Sequence, residues 1–478
     1  MNYLNTDSII VYAFLLITLL VGLWAGRGIK DIKEYAIANR IYGTGILTIT
    51  LLATYVEAWN MIGFPGDIFA DGLIQIIPTV GFGVICCLLF IARFIAPKIV
   101  YFKDCLTMGD LMGKFYGRHG KTVTGLLGLV YNATAVSIQI VFLRYVCELL
   151  GIKGDWGLAL AAFILVVYAS IGGIKSVTTT DIIQFIVLVV GLSLLANIVT
   201  YQAGGIKELF SKVPKEKLQL FNFNQDKTGT FGAGYYSFPI LALWFLFPGF
   251  PLSFPFIQRM LMAQNKQQIA NMYYISTAFL VMFFLSLTLI GLAALVLYPQ
   301  LESGDVVPYL IKKIPLGGLQ GLAIAGLLAI IMSTADSFLH SAGLLFTHDV
   351  IKPFFDQRGI VINELRMVKY ATFLIGCIAI IVALTVKDIF KIAMYGMDLA
   401  ALLFTIPLIA GIMGLKTDAK AFFTSLVITL AVFFISKIFL NEGLIIPIGI
   451  FFNALSFFGA HFIQNKGFTV VKRQPNLI

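Results

Sequence analysis

Apolar stretches long enough to cross a membrane recur from one end of the chain to the other, and nothing else in the sequence constrains the fold so strongly. About 20 predominantly apolar residues cross a hydrocarbon core of roughly 30 Å as a helix, and inside that core each backbone polar group must be satisfied within the protein. Runs interrupted by Gly, Pro and charge predict about thirteen helices, at roughly 7–26, 44–70, 73–97, 122–150, 155–173, 178–201, 234–256, 270–298, 317–347, 367–386, 389–414, 418–438 and 443–464. Hydrophobic residues make up 59% of the chain and charged ones 12%, against roughly 45–50% and 25% in soluble domains. The expectation is an all-α integral membrane protein forming a single transmembrane domain over 1–478, with the lipid bilayer as its surroundings and no enzymatic role. The first run begins near Ser8 with no basic leader and continues into Gly26, Arg27 and Gly28, so it reads as a retained helix and not a cleaved signal.

A net charge of +10 raises the thought of nucleic acid, but basic residues in a polytopic chain mark cytoplasmic loops. Arg27, Lys30, Lys33 and Arg40 follow the first run, and Lys98, Lys103, Lys114, Arg118 and Lys121 follow the third. Lys175, then Arg259 with Lys266, then Lys352, Arg358 and Arg366, then Lys416 with Lys420, and the C-terminal Lys466, Lys472 and Arg473 fall on the same side. This places the N-terminus outside and the C-terminus inside, in a plasma membrane of the bacterial inner-membrane type, with no nucleic-acid partner. The five cysteines show no CxxC spacing and the four histidines no HExxH, so no metal motif is present.

Polar residues inside the runs are the informative exceptions. Between 327 and 349 an apolar helix carries Ser333, Thr334, Asp336 and Ser337 in its middle. Unsatisfied polar groups in hydrocarbon cost several kcal/mol each, so neighbouring helices, water or a cation must meet them. Two other runs are interrupted. The second has Gly63, Pro65 and Gly66 after a polar cluster, and the seventh has Pro248, Gly249, Pro251 and Pro255. They lie five helices apart, which points to an inverted repeat with a solute site between broken helices; ordinary Pro kinks in a plain bundle are the alternative. The halves are 44–201 and 234–414, preceded by an extra helix and loop in 1–43 and followed by two helices and a tail in 415–478. The third helix of each half is polar, with Asn132, Thr134, Ser137 and Gln139 in the first and the Ser/Thr-rich stretch in the second.

Four motifs resemble the sodium/solute symporter family. Gly172, Gly173, Ser176, Val177, Thr180, Asp181 and Gln184 are similar to its GG-x-x-[AS]-V-x-x-TD-x-[IV]-Q stretch, and Met332, Ser333 and Thr334 to its A-x-[MV]-[ST]-[ST] stretch. Gly63 to Gly66, read as GFPG, and Gln258, Arg259 and Ala263 complete the set. The resemblance covers residues 5–464 and implies about thirteen helices in the five-plus-five inverted-repeat fold shared with the amino-acid transporter LeuT.

The resemblance also implies sites. A sodium ion would be held by the carbonyls of Ala53, Val56 and Ile330 and the hydroxyls of Ser333 and Thr334; the competing expectation is that these hydroxyls bond back to preceding helix carbonyls. In some members a second cation is held at the positions of Asp181, Ser333, Asp336 and Ser337, with a hydroxyl where this chain has Asp336; the alternative is that one of the two carboxyls is protonated or paired with Lys175. Glu57 lies in the break of the second run, while Tyr55 stands where the family carries an acidic residue, which argues against proline-carrier-like coupling. Glu57 is open to three roles besides a protonated interhelical bond: receiving a substrate ammonium, tuning the cation, or carrying a proton. Asp398 invites the same reasoning. By position the solute cavity draws on Glu57, Trp59, Asn60, Thr134, Gln139, Trp244, Phe245, Phe247, Tyr395 and Asp398.

These expectations define a sodium-coupled secondary active symporter that imports a small polar solute by alternating access, with an amino acid or other zwitterion or amine favoured and a monomer sufficient. The alternatives are a proton-coupled transporter of the same fold and a symporter-like membrane sensor working with a partner protein.

Overall fold

The computed structural model describes the chain apart from residues 1–4, 153, 221–251, 315–316, 387, 416–417, 441 and 466–478. Among the described residues ten helices are long and apolar enough to cross a membrane. Asp155–Gln202 is one of them at 48 residues, about 72 Å of helix at 1.5 Å per residue and more than twice a hydrocarbon core. It is divided by Gly173, whose backbone (φ 51°, ψ −155°) lies where only glycine is at ease. The division separates the runs expected at 155–173 and 178–201. The expected 234–256 helix lies mostly outside the described residues; its end is visible as Phe254–Leu261, which runs past 256 through Gln258 and Arg259.

Side-chain caps fix several helix starts. Asn5, Thr107, Asn265, Asn363 and Asp418 each accept from the amide three residues on, at 2.8–3.0 Å, which satisfies one of the orphan donors of a helix N-terminus. Thr107 starts Met108–Leu149 well before the expected 122. The charged stretch around Lys114, Arg118 and Lys121 hides this early part, which bends from the rest at Gly117 (φ 75°).

The interruption in the second run lies at Val56 (φ −80°, ψ 91°) and Glu57 (φ −86°, ψ 161°), between Thr44–Tyr55 and Ala58–Asp71. Gly63, Pro65 and Gly66 sit inside the continuous second helix and make close packing possible. A Cβ on Gly63 would fall 2.9 Å from the Trp59 ring, and one on Gly66 would fall 2.4 Å from the Ser303 carbonyl oxygen.

The helix Leu319–Leu344, which continues helically to Asp356, is the hub. Its most apolar window is 94% buried, against 28% for Thr6–Ala25 and 33% for Ala419–Phe439, so the latter two present apolar side chains such as Leu16, Leu20 and Phe434 outward. Gly191 and Gly326 allow the hub and the second half of Asp155–Gln202 to approach closely, a Cβ on Gly191 falling 3.3 Å from the Gly326 Cα. Asp7 Oδ1 accepts from the amides of Gly318 and Gly321 at 2.7 and 2.6 Å, where a helix N-terminus favours negative charge.

At the other end of the hub, Lys121 Nζ lies 2.6 Å from Asp110 and 3.4 Å from Asp349. His348 bonds Glu364 and Asp110 there, and Thr107 donates to Asp349 at 2.9 Å. This network clamps three helix ends together.

Gly173 carries the sharpest steric demand, because a Cβ there would lie 2.5 Å from the buried Tyr35 ring. Gly173→Ala is expected to destabilise the fold by about 1–3 kcal/mol for the backbone alone, read as a lower melting temperature in detergent. An unchanged melting temperature would show that the bend is not required.

Candidate functional site

Two clusters of polar side chains meet on one turn of the hub, each facing a different neighbour. The first faces the broken helix. Val56 and Glu57 leave helical geometry, so carbonyls of the last turn of Thr44–Tyr55 lose intrahelical partners that hydrocarbon cannot replace. The Ser333 hydroxyl donates to the Ala53 carbonyl at 2.9 Å and to the Ile330 carbonyl at 3.1 Å, while the Thr334 hydroxyl reaches the Val56 carbonyl at 3.4 Å. All five residues expected to hold sodium therefore converge, and all five are buried. Back-bonding to Ile330 exists for Ser333, yet both hydroxyls also cross to the other helix. Asn60 Nδ2 donates to the Tyr55 carbonyl at 3.1 Å, so this expected cavity residue caps the break.

A small recess at the same place is lined by Ala53, Val56, Gln184, Phe185, Leu188, Ile330 and Ser333. Gln184 is 1% exposed and its side-chain amide is buried without a hydrogen-bond partner. Sequence reasoning noted it only as the last letter of a motif. Its position beside the convergent oxygens, with an amide left unsatisfied, is decided by the packing of the hub against Asp155–Gln202.

The second cluster contains Asp181, Asp336 and Ser337, all fully buried. Thr50 donates to Asp181 Oδ2. Tyr168 donates to Asp336 Oδ2 at 3.0 Å, with Thr180 3.5 Å from the same oxygen, and the Ser337 and Thr54 hydroxyls are 3.0 Å apart. Ser333, also expected here, commits its hydroxyl to the first cluster. The cation in reach is Arg259, fully buried, with Nη2 2.5 Å from the Ser337 hydroxyl, 3.5 Å from that of Thr50 and 4.0 Å from Asp181 Oδ2. This corrects two expectations. Lys175, offered as a partner for these carboxyls, pairs with Glu34 at 2.5 Å, and Arg259, counted among loop charges, lies in the protein interior. Counting charges along the sequence cannot separate a loop arginine from one on the first turns after a break.

The expected solute residues separate. Glu57 is half-buried with Oε1 enclosed and unpartnered, and the Trp59 ring covers Gly63. Asp398 is half-buried on Ile389–Met413. Thr134 sits against Gly396, a Cβ there falling 3.4 Å from its hydroxyl, and also bonds back to Val130 and Tyr131. Gln139 is 3% exposed with Oε1 unpartnered. Tyr395 is not brought to this group. It packs on the peripheral cluster of Leu402, Phe433, Ile445, Ile446 and Ile450, with Lys437 Nζ 3.3 Å from its ring centroid. Trp244, Phe245 and Phe247 lie outside the described residues.

Known proteins share this fold. The fold superposes on a solved substrate-bound, outward-open Na+-coupled sialic acid symporter with a TM-score of 0.85 at 17% identity, covering 99% of this chain and 100% of that one. Sodium/proline symporter 2 of Staphylococcus saprophyticus is 22% identical over 368 residues, 72% of this chain and 68% of that relative. High-affinity choline transporter 1 of Drosophila melanogaster is 24% identical over 410 residues, 81% of this chain and 63% of that relative, so the chain spans less than two thirds of its length. The sequence model of the sodium:solute symporter family matches residues 35–430. With a broken helix facing a hydroxyl pair inside an all-helical membrane fold, the chain belongs to the sodium:solute symporter family.

Proposed function

We propose that this multi-pass membrane protein couples the inward movement of one sodium ion to uptake of a small polar solute bearing a cationic nitrogen. The ion is held by the carbonyls of Ala53, Val56 and Ile330 and the hydroxyls of Ser333 and Thr334, between halves 44–201 and 234–414, with the N-terminus outside and the C-terminus inside. The observation that carries the reading is the contact of the Ser333 and Thr334 hydroxyls with the Ala53 and Val56 carbonyls across the break. Oxygens already gathered from two helices need only small rotations to turn towards a hard cation. An ion bound there ties the broken helix to the hub and stabilises the conformer in which the two meet. Coupling follows because ion and solute each bind one conformer better than the other. One charge crossing 100 mV carries about 2.3 kcal/mol, enough for a roughly fifty-fold solute gradient.

The solute class rests on Glu57. A half-buried carboxylate with an unpartnered oxygen suits an ammonium, which gains an ion pair. Proline and choline, which name two of the relatives, both carry a cationic nitrogen. The same Glu57, together with Asp398, supports a second reading in which protons drive transport.

Two measurements test these assignments. Sodium at about 100 times its Kd stabilises a folded protein by about 2.7 kcal/mol, so sodium chloride is expected to raise the melting temperature of the purified chain relative to potassium chloride. Ser333→Ala with Thr334→Ala is expected to remove that difference and sodium-driven uptake; retention of both would dismiss the ion site. Glu57→Gln is expected to raise the KM for radiolabelled proline or choline, whichever is taken up, by about 10- to 100-fold, as for loss of a charged hydrogen bond worth about 1.5–3 kcal/mol, while the response to sodium persists. Accumulation driven by a proton gradient and abolished by Glu57→Gln would favour the proton reading instead.

A further inference from the structure

His348 lies near the end of the hub with both ring nitrogens against carboxylates carried by other helices. Nδ1 bonds Glu364 Oε1, and Nε2 lies 3.2 and 3.1 Å from Asp110 Oδ1 and Oδ2. Asp110 and Glu364 each stand in the first turn of a helix, Met108–Leu149 and Glu364–Thr385, where the helix dipole favours the ionised carboxylate. Asp110 also accepts from the Leu106 amide at 2.8 Å and from Lys121 at 2.6 Å, and Glu364 Oε2 lies 3.3 Å from Lys352 Nζ. Ionised carboxylates only accept hydrogen bonds, and a neutral imidazole has a single N–H. Bonds to two such acceptors require both ring nitrogens to carry a proton.

Charge balance leads to the same state. The carboxylates of the cluster are Asp110, Asp349 and Glu364, and its ammonium groups are Lys121 and Lys352. Three negative charges against two positive ones leave one unmatched, in a place where Asp349 is fully buried and His348 is 7% exposed. An imidazolium closes the difference. The other charged groups around the cluster come in opposite signs: Asp104 pairs with Lys114, and Arg118 and Asp356 both line the adjoining cavity. That cavity, of about 560 Å³, is also lined by His348 and Cys105, which gives the ring proton a path to solution.

We propose that His348 is a pH-sensitive switch: protonated, it ties the hub to Met108–Leu149 and Glu364–Thr385, and losing the proton in alkaline solution releases these helix ends and slows transport. Without the proton a ring lone pair faces a carboxylate, and the cluster keeps one negative charge in excess. The sign follows from linkage, because the folded contact holds a proton that the unfolded chain gives up near the ordinary histidine range, about pH 6.5. The stability it contributes is complete below that range and is lost as the pH rises far enough to remove the proton. Only the transport readout rests on the function proposed above; the switch itself rests on the His348 contacts.

The test is the melting temperature of the purified full chain in sodium-free buffer between about pH 7 and about pH 9.5, above the ordinary histidine range and below that of lysine. The wild type is expected to melt at lower temperature as the pH rises. His348→Gln is expected to melt low at every pH, and His348→Arg, which keeps a charge that does not titrate, to lose the alkaline fall. A flat wild-type profile, or the same fall in His348→Gln, would overturn the proposal. If neither variant folds, Glu364→Gln decides: removing one carboxylate from the ring is expected to move the fall to lower pH, and a fall at unchanged pH counts against the switch. Cys105→Ser is expected to keep the fall, since a fall that disappears there belongs to the thiol. Sodium-driven uptake of radiolabelled proline or choline is expected to decline over the same pH range as the melting temperature, and uptake that stays constant there would also overturn the switch. Uptake absent at every pH counts against the proposed function, while the melting profiles still decide the role of His348.

Discussion

Carbonyl oxygens released by a break in a membrane helix have no water to turn to, and the rest of this structure is arranged around that constraint. At Val56 and Glu57 the chain gives up helical hydrogen bonds that would each cost several kcal/mol if left unmet in hydrocarbon. The hub helix answers with hydroxyls at Ser333 and Thr334, and Asn60 answers from the far side of the break. To deliver those hydroxyls the hub must be enclosed, and it is the most buried span among the described residues. Glycines at its interface allow the approach, and Asp7 and the Asp110–Lys121–His348–Asp349–Glu364 network hold its two ends.

The same turn of helix carries two different polar clusters. Ser333 and Thr334 present neutral oxygens towards other neutral oxygens, a set from which an ion can depart. On another face of that turn, Ser337 meets Arg259, which lies 4.0 Å from Asp181, so a fixed positive charge already stands beside the buried carboxyls. A transport cycle needs the first kind, because binding must be reversible on each side of the membrane. The second kind is suited to holding helices in register while the first changes occupancy.

Ser333 and Thr334 of the proposed ion site were legible from the sequence because polar atoms in an apolar helix are few and conspicuous, whereas the carbonyls of Ala53, Val56 and Ile330 came from the family resemblance. Where the break falls was less legible. Gly63, Pro65 and Gly66 look like the interruption, since glycine and proline are poor helix formers, but each is accommodated by close packing inside Ala58–Asp71. Tyr395 shows the limit of placing a residue by helix number alone: the Ile389–Met413 helix has a face towards Met108–Leu149 and another towards the C-terminal pair, and Tyr395 lies on the latter.

By itself the sequence determined that the chain is helical and membrane-embedded, which helices are polar, and which oxygens of the hub await a partner, because hydropathy and local chemistry act within a single segment. Only the tertiary structure decided the partners. Arg259 reads in sequence as one more loop charge; folded, it is fully buried with Nη2 4.0 Å from Asp181 Oδ2. Gln184 reads as a motif letter; folded, it lines the recess beside Ala53 and Ser333. The physical reason is that charge compensation in low dielectric is a matter of distances of a few ångströms between segments far apart in the chain, which no local pattern records.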